Sequence, residues 1–295
     1  MLARLFCWLS IGEPLPRNIA MLSRPINCGL PNLSWSGNRT CRATAQLLIS
    51  LGTPLFTKFS DGFFRSPKIN EWDLAEQSEH VEQIQKILQS SYAVPWHNFT
   101  GIAEATGAFL LCKLFQARKP NLLLKRSNAL SWEDIRHNNV IFLGSPKFNR
   151  HLKDFPAQGD FVIEGGIIRN PQPRPGESNE YRDLWKTKGE LLQDYALIHR
   201  LPGLHGNGEI MVLAASSTEG TWAAVEYVTE AAHARELVSK LQLPSGKLPD
   251  SYQVVIRARF KEEVPVEISY VTHRVLESPV ASRLPLPGQP GRRLQ

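Results

Sequence analysis

The chain has 295 residues, of which 42% are hydrophobic and 21% charged, and its formal net charge is +6. This composition is typical of a globular protein, and no apolar run approaches the roughly 20 residues of a membrane-spanning helix. We therefore expect a cytoplasmic protein without a membrane span. The four cysteines are too sparse for a disulfide scaffold and are not spaced as metal ligands.

The excess of positive charge is concentrated at the two ends of the chain. Residues 1–50 hold five arginines against the single acid Glu13, and they show neither helical nor strand periodicity. Residues 278–295 contain four prolines, a composition that does not bury enough apolar surface to fold. We therefore predict a poorly ordered segment at 1–50, one α/β domain at 51–277, and a Pro-rich disordered tail at 278–295.

The first predicted elements are a strand at residues 55–59 and two helices. A helix near residues 76–89 would place its apolar side chains on one face. These are Val81, Ile84, Ile87 and Leu88. Thr100 is the predicted N-cap of a second helix at 101–117, whose small residues would allow close approach to a sheet. Its predicted apolar face consists of Ile102, Ala105, Phe109, Cys112 and Phe115. A short strand at 122–125 and a helical turn beginning at Ser131 follow.

Two uninterrupted apolar runs, at residues 139–143 and 210–214, give the clearest strand signals. Strands without alternation are typical of a parallel sheet that is covered on both faces. Gly165-Gly166 predicts a hairpin turn, and further strands are expected at 195–198, 252–260 and 266–276. Helices are expected around 221–228 and 234–241. The predicted fold is a three-layer α/β domain: a mixed sheet with a parallel centre, helices on both faces and an antiparallel C-terminal hairpin.

The candidate site follows the two apolar strands. Ser145 and Pro146 have the pattern of an N-cap and first helical residue, and Ser216 and Glu219 have capping-box spacing. If both strands are parallel, both helix starts open at one edge of the sheet and attract an anion. Serine and threonine at helix starts often only cap, which is the alternative. The candidate ligand-binding residues are Gly144, Ser145, Asn149, Ser217, Thr218, Gly220 and Thr221, with charge from Lys125 and Arg126.

Motifs for catalysis and cofactors are missing from the sequence. It contains no GxGxxG, GxxxxGK[ST], GxSxG or HExxH pattern. His199 and His205 would approach one metal only if the loop between them curled back, and a solvated loop pair is the favoured interpretation. We therefore predict no catalytic residue, no metal and no cofactor.

From residue 51 to 276 the chain resembles an uncharacterised bacterial α/β domain family. The matching segments are residues 100–108, 131–134, 139–146, 175–177, 194–196, 201–203 and 220–224, with Asn149, Asn170, Pro173, Tyr181 and Glu226. In several relatives such a domain follows a winged-helix DNA-binding domain, so the resemblance implies a sensor or regulatory role without established catalysis. Residues 1–50 are too few for a winged helix, and we expect no direct nucleic-acid binding.

Three functional hypotheses remain at this point. The first is a non-enzymatic regulatory or sensor domain that binds a small anionic ligand or a protein partner. The second is an enzyme acting on a phosphorylated or glycosidic substrate at the carboxyl edge of the sheet, for which titratable groups at that edge are required. The third is a scaffold that pairs its last strand with another chain.

Overall fold

A computed structural model describes residues 46–66, 68–115, 122–155, 159–187, 189–204 and 208–276. Apart from residues 46–50, the segments predicted to be disordered at the two ends lie outside these ranges. The helices are α1 (Trp72–Glu76), α2 (Glu79–Ile87), α3 (Ile102–Phe115), α4 (Trp132–His137), α5 (Arg150–Asp154), α6 (Thr218–Thr229) and α7 (Ala231–Leu241). None of the helices in the described ranges has the length and apolarity needed to cross a membrane.

The strands make one large sheet and two small ones. Those of the large sheet are β1 (Leu47–Leu51), β5 (Leu122–Arg126), β6 (Asn139–Leu143), β10 (Leu184–Trp185), β11 (Leu191–Pro202), β12 (Glu209–Ala215), β13 (Tyr252–Lys261) and β14 (Val264–Val275). The small sheets contain β2 (Phe56–Phe59), β3 (Gly62–Phe64) and β4 (Val94–Trp96), and β7 (Val162–Glu164), β8 (Ile167–Arg169) and β9 (Glu180–Tyr181).

The large sheet is mixed, with the order β14-β13-β11-β12-β6-β1-β5. Strands β12, β6, β1 and β5 are parallel to one another, whereas β11, β13 and β14 are antiparallel to their neighbours. The prediction of an α/β fold with a parallel centre and an antiparallel C-terminal hairpin is therefore confirmed. Strand β1 was not predicted: all but its last residue lie in the segment expected to be poorly ordered, and it pairs with β5 on one side and β6 on the other.

Among the parallel strands, β1, β6 and β12 are buried because their side chains enter two different apolar clusters. Ile141 and Leu143 of β6 pack with residues of α3, α6 and α7, whereas Val140 and Phe142 pack with Ile135 of α4. This division accounts for the absence of alternation in β6, since both sets of its side chains leave water. The arrangement in three layers, with helices on both faces of the sheet, stays a prediction.

Helix α3 buries a different face from the one predicted. Ile102 and Phe109 are 86% and 65% exposed, whereas Ala103, Gly107 and Leu111 are buried. Gly107 allows close contact with α6, because a Cβ at this position would lie 2.9 Å from Val225. The sequence of α3 is apolar around most of its circumference, so its periodicity does not select one face.

Several predicted helix boundaries are also corrected. The helix expected at 76–89 is α2, which spans Glu79–Ile87 and follows the separate short helix α1, and Ile87 is 78% exposed rather than buried. Ser145 does not cap a helix: residues 146–148 form a turn, and α5 follows Asn149. The N-cap of α6 is Ser217 rather than Ser216, and its hydroxyl accepts the N–H of Gly220.

Candidate functional site

Three loops meet where the parallel strands β1, β6 and β12 end, at what we call the carboxyl edge. The N–H of Gly52, after β1, donates to the carbonyl oxygen of Leu143 at 3.1 Å. The N–H of Gly144, after β6, donates to the carbonyl oxygen of Leu213 in β12 at 3.0 Å. The strands are thus held in register up to their last residues, and the loops that follow them are neighbours.

Glu104 of α3 connects two of these loops. Its Oε2 accepts the Thr100 hydroxyl at 3.0 Å and the Gly101 N–H at 3.3 Å. Its backbone N–H donates to the Thr218 hydroxyl oxygen, at the start of α6, at 3.2 Å. Its Oε1 faces Gly144, where a Cβ would lie 2.2 Å away. The loop after β6 and the start of α6 therefore lie on either side of this one residue.

The Glu104 carboxyl group titrates close to neutral pH. Burial raises its pKa from 4.5 to about 7, and the hydrogen bonds from Thr100 and Gly101 only partly oppose this effect. Arg65 lowers the pKa and Glu219 raises it, which places both charges near this carboxyl group. Glu104 is consequently poised to hold or release a proton at the carboxyl edge.

Gly144 is required at its position for two reasons. Its φ of +94° is a conformation that side-chain-bearing residues rarely adopt. A Cβ would also occupy the space of the Glu104 carboxylate. The glycine of this loop therefore serves the close approach of backbone and carboxylate as well as the turn.

A second buried carboxylate, Asp194 of β11, supports the start of α6. It accepts the Ser217 hydroxyl at 2.6 Å, the Ser217 N–H at 3.0 Å and the Ser216 hydroxyl at 2.9 Å. Burial raises its pKa to about 6, against the effect of these hydrogen bonds. A Cβ at Gly220 would lie 2.3 Å from Asp194 Oδ2, so this glycine makes room for the carboxylate.

Positive charge gathers around Phe148, in the loop after β6. The Arg65 guanidinium carbon lies 5.1 Å from the centre of this ring, and Lys147 Nζ lies 5.6 Å from it. Burial, followed by the charges of Arg65 and Lys153, lowers the pKa of Lys147. Lys153 also forms an ion pair with Glu71. We refer to Arg65, Lys147 and Lys153 as the cation cluster.

Most of the predicted ligand-binding residues have structural partners. Asn149 is fully buried and binds backbone carbonyls, and the Ser145 hydroxyl accepts the Lys147 N–H at 3.0 Å. The Thr221 hydroxyl donates to the carbonyl oxygen of Ser217 at 3.2 Å. The contacts to Glu104 involve Thr218 and Gly144, and those to Asp194 involve Ser217 and Gly220. The loops that we predicted to be neighbours do adjoin, but several of their side chains are engaged within the protein.

The two predicted cationic ligands lie elsewhere on this edge. Lys125 forms an ion pair with Asp134 at 2.8 Å, the acid of the α4 capping box. Arg126 donates to Asn98 and to the carbonyl oxygen of His97, in the segment that leads into α3. The cation cluster, which the sequence did not reveal, contributes the positive charge nearest to Glu104.

Replacing Asn149 by alanine is expected to lower the free energy of unfolding by about 2–3 kcal/mol. Its amide donates to the carbonyl oxygens of Leu143, Gly144 and Ser145, and these would lose their buried donor. Urea unfolding measures the change, with the exposed Asn128→Ala as the control. Equal stabilities for both variants would contradict this role.

Sequence reasoning missed Glu104, Asp194 and the cation cluster. Glu104 shares one side of α3 with the buried residues Gly107, Ala108 and Leu111. Asp194 likewise lies on the same face of β11 as the buried residues Ala196 and Ile198. An acid on an otherwise apolar face is the signal that points to both, since such a group is buried only at a cost. Arg65 carries no such signal.

The histidines do not form a metal site among the described residues. His199 is a half-buried residue of β11, and desolvation lowers its pKa to about 4. His205 lies outside the described ranges. Within those ranges no group of three or more His, Cys, Asp or Glu side chains is arranged to hold a metal ion.

No protein-family model matches the chain, and no curated protein is significantly similar to it.

Proposed function

We propose that this is a regulatory or sensor domain that binds a small anionic ligand at the carboxyl edge, beside Phe148. The observation that carries the proposal is the cation cluster. Arg65 and Lys147 approach the same ring, and the charges of Arg65 and Lys153 lower the pKa of Lys147. The Arg65 guanidinium is exposed, and a small anion beside Phe148 would accept charge-assisted hydrogen bonds from it in a field made more positive by Lys147 and Lys153.

The starts of two helices strengthen the attraction for an anion. A Cβ at Gly101 would lie 2.1 Å from the Thr218 hydroxyl oxygen, so α3 and α6 begin side by side. The N-terminal end of a helix carries a partial positive charge, and two adjacent ends add their fields. The loop of Gly144 and Ser145 adjoins the same place.

Glu104 makes the proposed binding dependent on pH. Below its pKa of about 7 the carboxyl group is neutral and does not repel an anion. Above that value the carboxylate repels the ligand, so the affinity for an anion of constant charge falls as pH rises through 7. A domain with this property would respond to both ligand concentration and proton concentration.

Isothermal titration of the full chain with inorganic phosphate and pyrophosphate at pH 6 tests the proposal. Arg65→Ala is expected to weaken binding roughly tenfold to a hundredfold, since a charge-assisted hydrogen bond contributes about 1.5–3 kcal/mol. Arg235→Ala, an exposed arginine of α7, is the matched control and should bind as the wild type. Absence of millimolar binding, or equal affinities for both variants, would refute the site.

An enzyme acting on a phosphorylated or glycosidic substrate is the second candidate, and the pKa of Glu104 favours it. A carboxyl group with a pKa of about 7 is suited to general acid catalysis at neutral pH. Turnover of p-nitrophenyl phosphate or p-nitrophenyl glycosides that Glu104→Gln removes would favour the enzyme. Ligand binding without turnover by the wild type would favour the sensor.

A scaffold that binds a protein partner is supported by the position of β14 at the edge of the large sheet. Its residues Val264 and Val266 are exposed. Irregular pairing with β13 and the acid Glu267 oppose the addition of a further strand. A strictly monomeric chain in sedimentation equilibrium would count against self-pairing. We also propose that the chain belongs to the uncharacterised bacterial α/β domain family, in some of whose members the domain follows a winged-helix domain.

A further inference from the structure

The small sheet of β2, β3 and β4 has one buried and one accessible face. Thr57 and Phe59 of β2 point into the protein and are buried, whereas Phe56 and Lys58 alternate with them and are half-buried. Across the strands, Phe56 pairs with Trp96 and Lys58 with Phe63. Pairs opposite one another share a face of the sheet. Phe56, Lys58, Phe63 and Trp96 therefore lie together on the accessible face.

Aromatic rings dominate this face. The Phe63 ring centre is 6.1 Å from that of Trp96 and 5.4 Å from that of Phe99, and Phe99 is 4.7 Å from Phe56. Phe63 remains 49% exposed and Phe99 41% exposed. We refer to Phe56, Phe63, Trp96 and Phe99 as the aromatic face. Its rings contact one another and still present large surfaces to water.

Cations border the aromatic face and connect it to the carboxyl edge. Lys58 Nζ lies 4.3 Å from the centre of the Trp96 ring. Arg65 lies 5.9 Å from the Phe56 ring and 5.1 Å from the Phe148 ring, between the aromatic face and the proposed anion site. Phe99 directly precedes Thr100, which hydrogen-bonds to Glu104. Aromatic face and anion site thus form one continuous surface.

We infer that the ligand is a nucleotide, whose base stacks on the aromatic face while its phosphate binds the Arg65 guanidinium beside Phe148. The inference rests on the function proposed above. Exposed rings provide stacking surfaces for a purine or pyrimidine, and stacking contributes about 1–3 kcal/mol per base. A bare phosphate would use the cations alone. The two surfaces together fit a ligand with an aromatic ring at one end and negative charge at the other.

Titration of the full chain with four compounds tests the inference. These are adenosine 5′-monophosphate, uridine 5′-monophosphate, ribose 5-phosphate and inorganic phosphate. The nucleotides are expected to bind roughly tenfold to a hundredfold more tightly than ribose 5-phosphate, which has the same charge and sugar but no base. Equal affinities for all four would overturn the inference and leave the anion site standing. Binding of none would overturn both.

Substitutions on the aromatic face identify where the base lies. Phe63→Leu and Phe99→Leu keep apolar bulk at exposed positions and remove the rings. Each should reduce nucleotide affinity toward that of ribose 5-phosphate without changing the affinity for ribose 5-phosphate. Phe109→Leu, at an exposed position of α3, should change neither. Unchanged nucleotide preference in both variants, or binding of single-stranded oligonucleotides with no binding of mononucleotides, would overturn the inference.

Discussion

Replacing Arg274 by methionine is expected to lower the free energy of unfolding by about 3–5 kcal/mol. The side chain of Arg274, in β14, is only 3% exposed and binds both carboxylate oxygens of Glu177, at 2.8 and 2.5 Å. Glu177 also accepts the Thr272 hydroxyl at 2.5 Å and is itself 11% exposed. Methionine would fill the space but leave a buried carboxylate without its cation.

The pH dependence of stability provides a second measurement of this ion pair. Chiefly through its hydrogen bonds to Arg274, the pKa of Glu177 is held far below its ordinary 4.5. The stabilisation is therefore complete above pH 4.5 and is lost as pH falls through the lower pKa of the folded state. In Arg274→Met, most of this acid-dependent loss should disappear.

Urea unfolding at pH 7 measures the effect of Arg274→Met. Arg182→Met is the control, since Arg182 pairs with Glu180 at an exposed position and its loss should cost less than about 1 kcal/mol. Similar destabilisation in the two variants would mean that the buried pair contributes no more than a surface pair. The segment of Glu177 would then be attached to β14 mainly by its other contacts.

The elements predicted correctly are those whose signal is local. Strands β6 and β12 are short apolar runs bounded by glycine and serine, and the hairpin of β7 and β8 has φ of +60° and +79° at its two glycines. Strands β13 and β14 alternate in sequence, and their pairing is antiparallel between neighbours in the chain. Such contacts are encoded within a few residues of each other.

The incorrect predictions concern elements whose position depends on distant parts of the chain. Strand β1 is a short apolar run, but its partners β5 and β6 begin at Leu122 and Asn139. Helix α3 has apolar residues on several sides, and only the position of α6 decides that Gly107 rather than Phe109 is buried. Sequence periodicity does not contain that information.

The proximity of the two turns was predicted from the sequence, whereas the charged side chains around them were not. Strand ends and loop residues predicted that the turns after β6 and β12 adjoin, and Glu104 contacts both. The charged residues that give the edge its properties come from other elements: Glu104 from α3 and Arg65 from the segment after β3. Their convergence follows from tertiary packing, which spacing along the chain does not reveal.

In the wild type, the free energy of unfolding is expected to fall by on the order of 3 kcal/mol as pH rises from 4.5 to about 7, because of Glu104. Glu104→Gln is expected to remove this fall. Below pH 4.5 the carboxyl group is protonated in both the folded and the unfolded chain. Between the two values the unfolded chain releases the proton and the folded chain retains it, so each rise in pH favours unfolding. Above pH 7 the carboxyl group is ionised in both the folded and the unfolded chain, and the free energy of unfolding stays at its lowered value.

Urea unfolding at pH 5 and pH 8 measures this difference. Glutamine retains the size of the side chain and an oxygen that accepts the Thr100 hydroxyl and the Gly101 N–H, so the fold should be preserved. Asp194, whose pKa is raised to about 6, adds a loss of the same sign, so the variant should flatten the dependence without abolishing it. The exposed Glu79→Gln is the control.

The same variant connects stability to ligand binding. If Glu104 repels the anion only when ionised, the wild type should bind sulfate, whose charge is the same at pH 6 and pH 8, more weakly at pH 8, whereas Glu104→Gln should bind it equally at both. An unchanged pH dependence of stability would show that Glu104 does not titrate near neutrality. A flattened stability profile with a wild-type pH dependence of binding would instead place the anion away from Glu104, while leaving the buried carboxyl group as described.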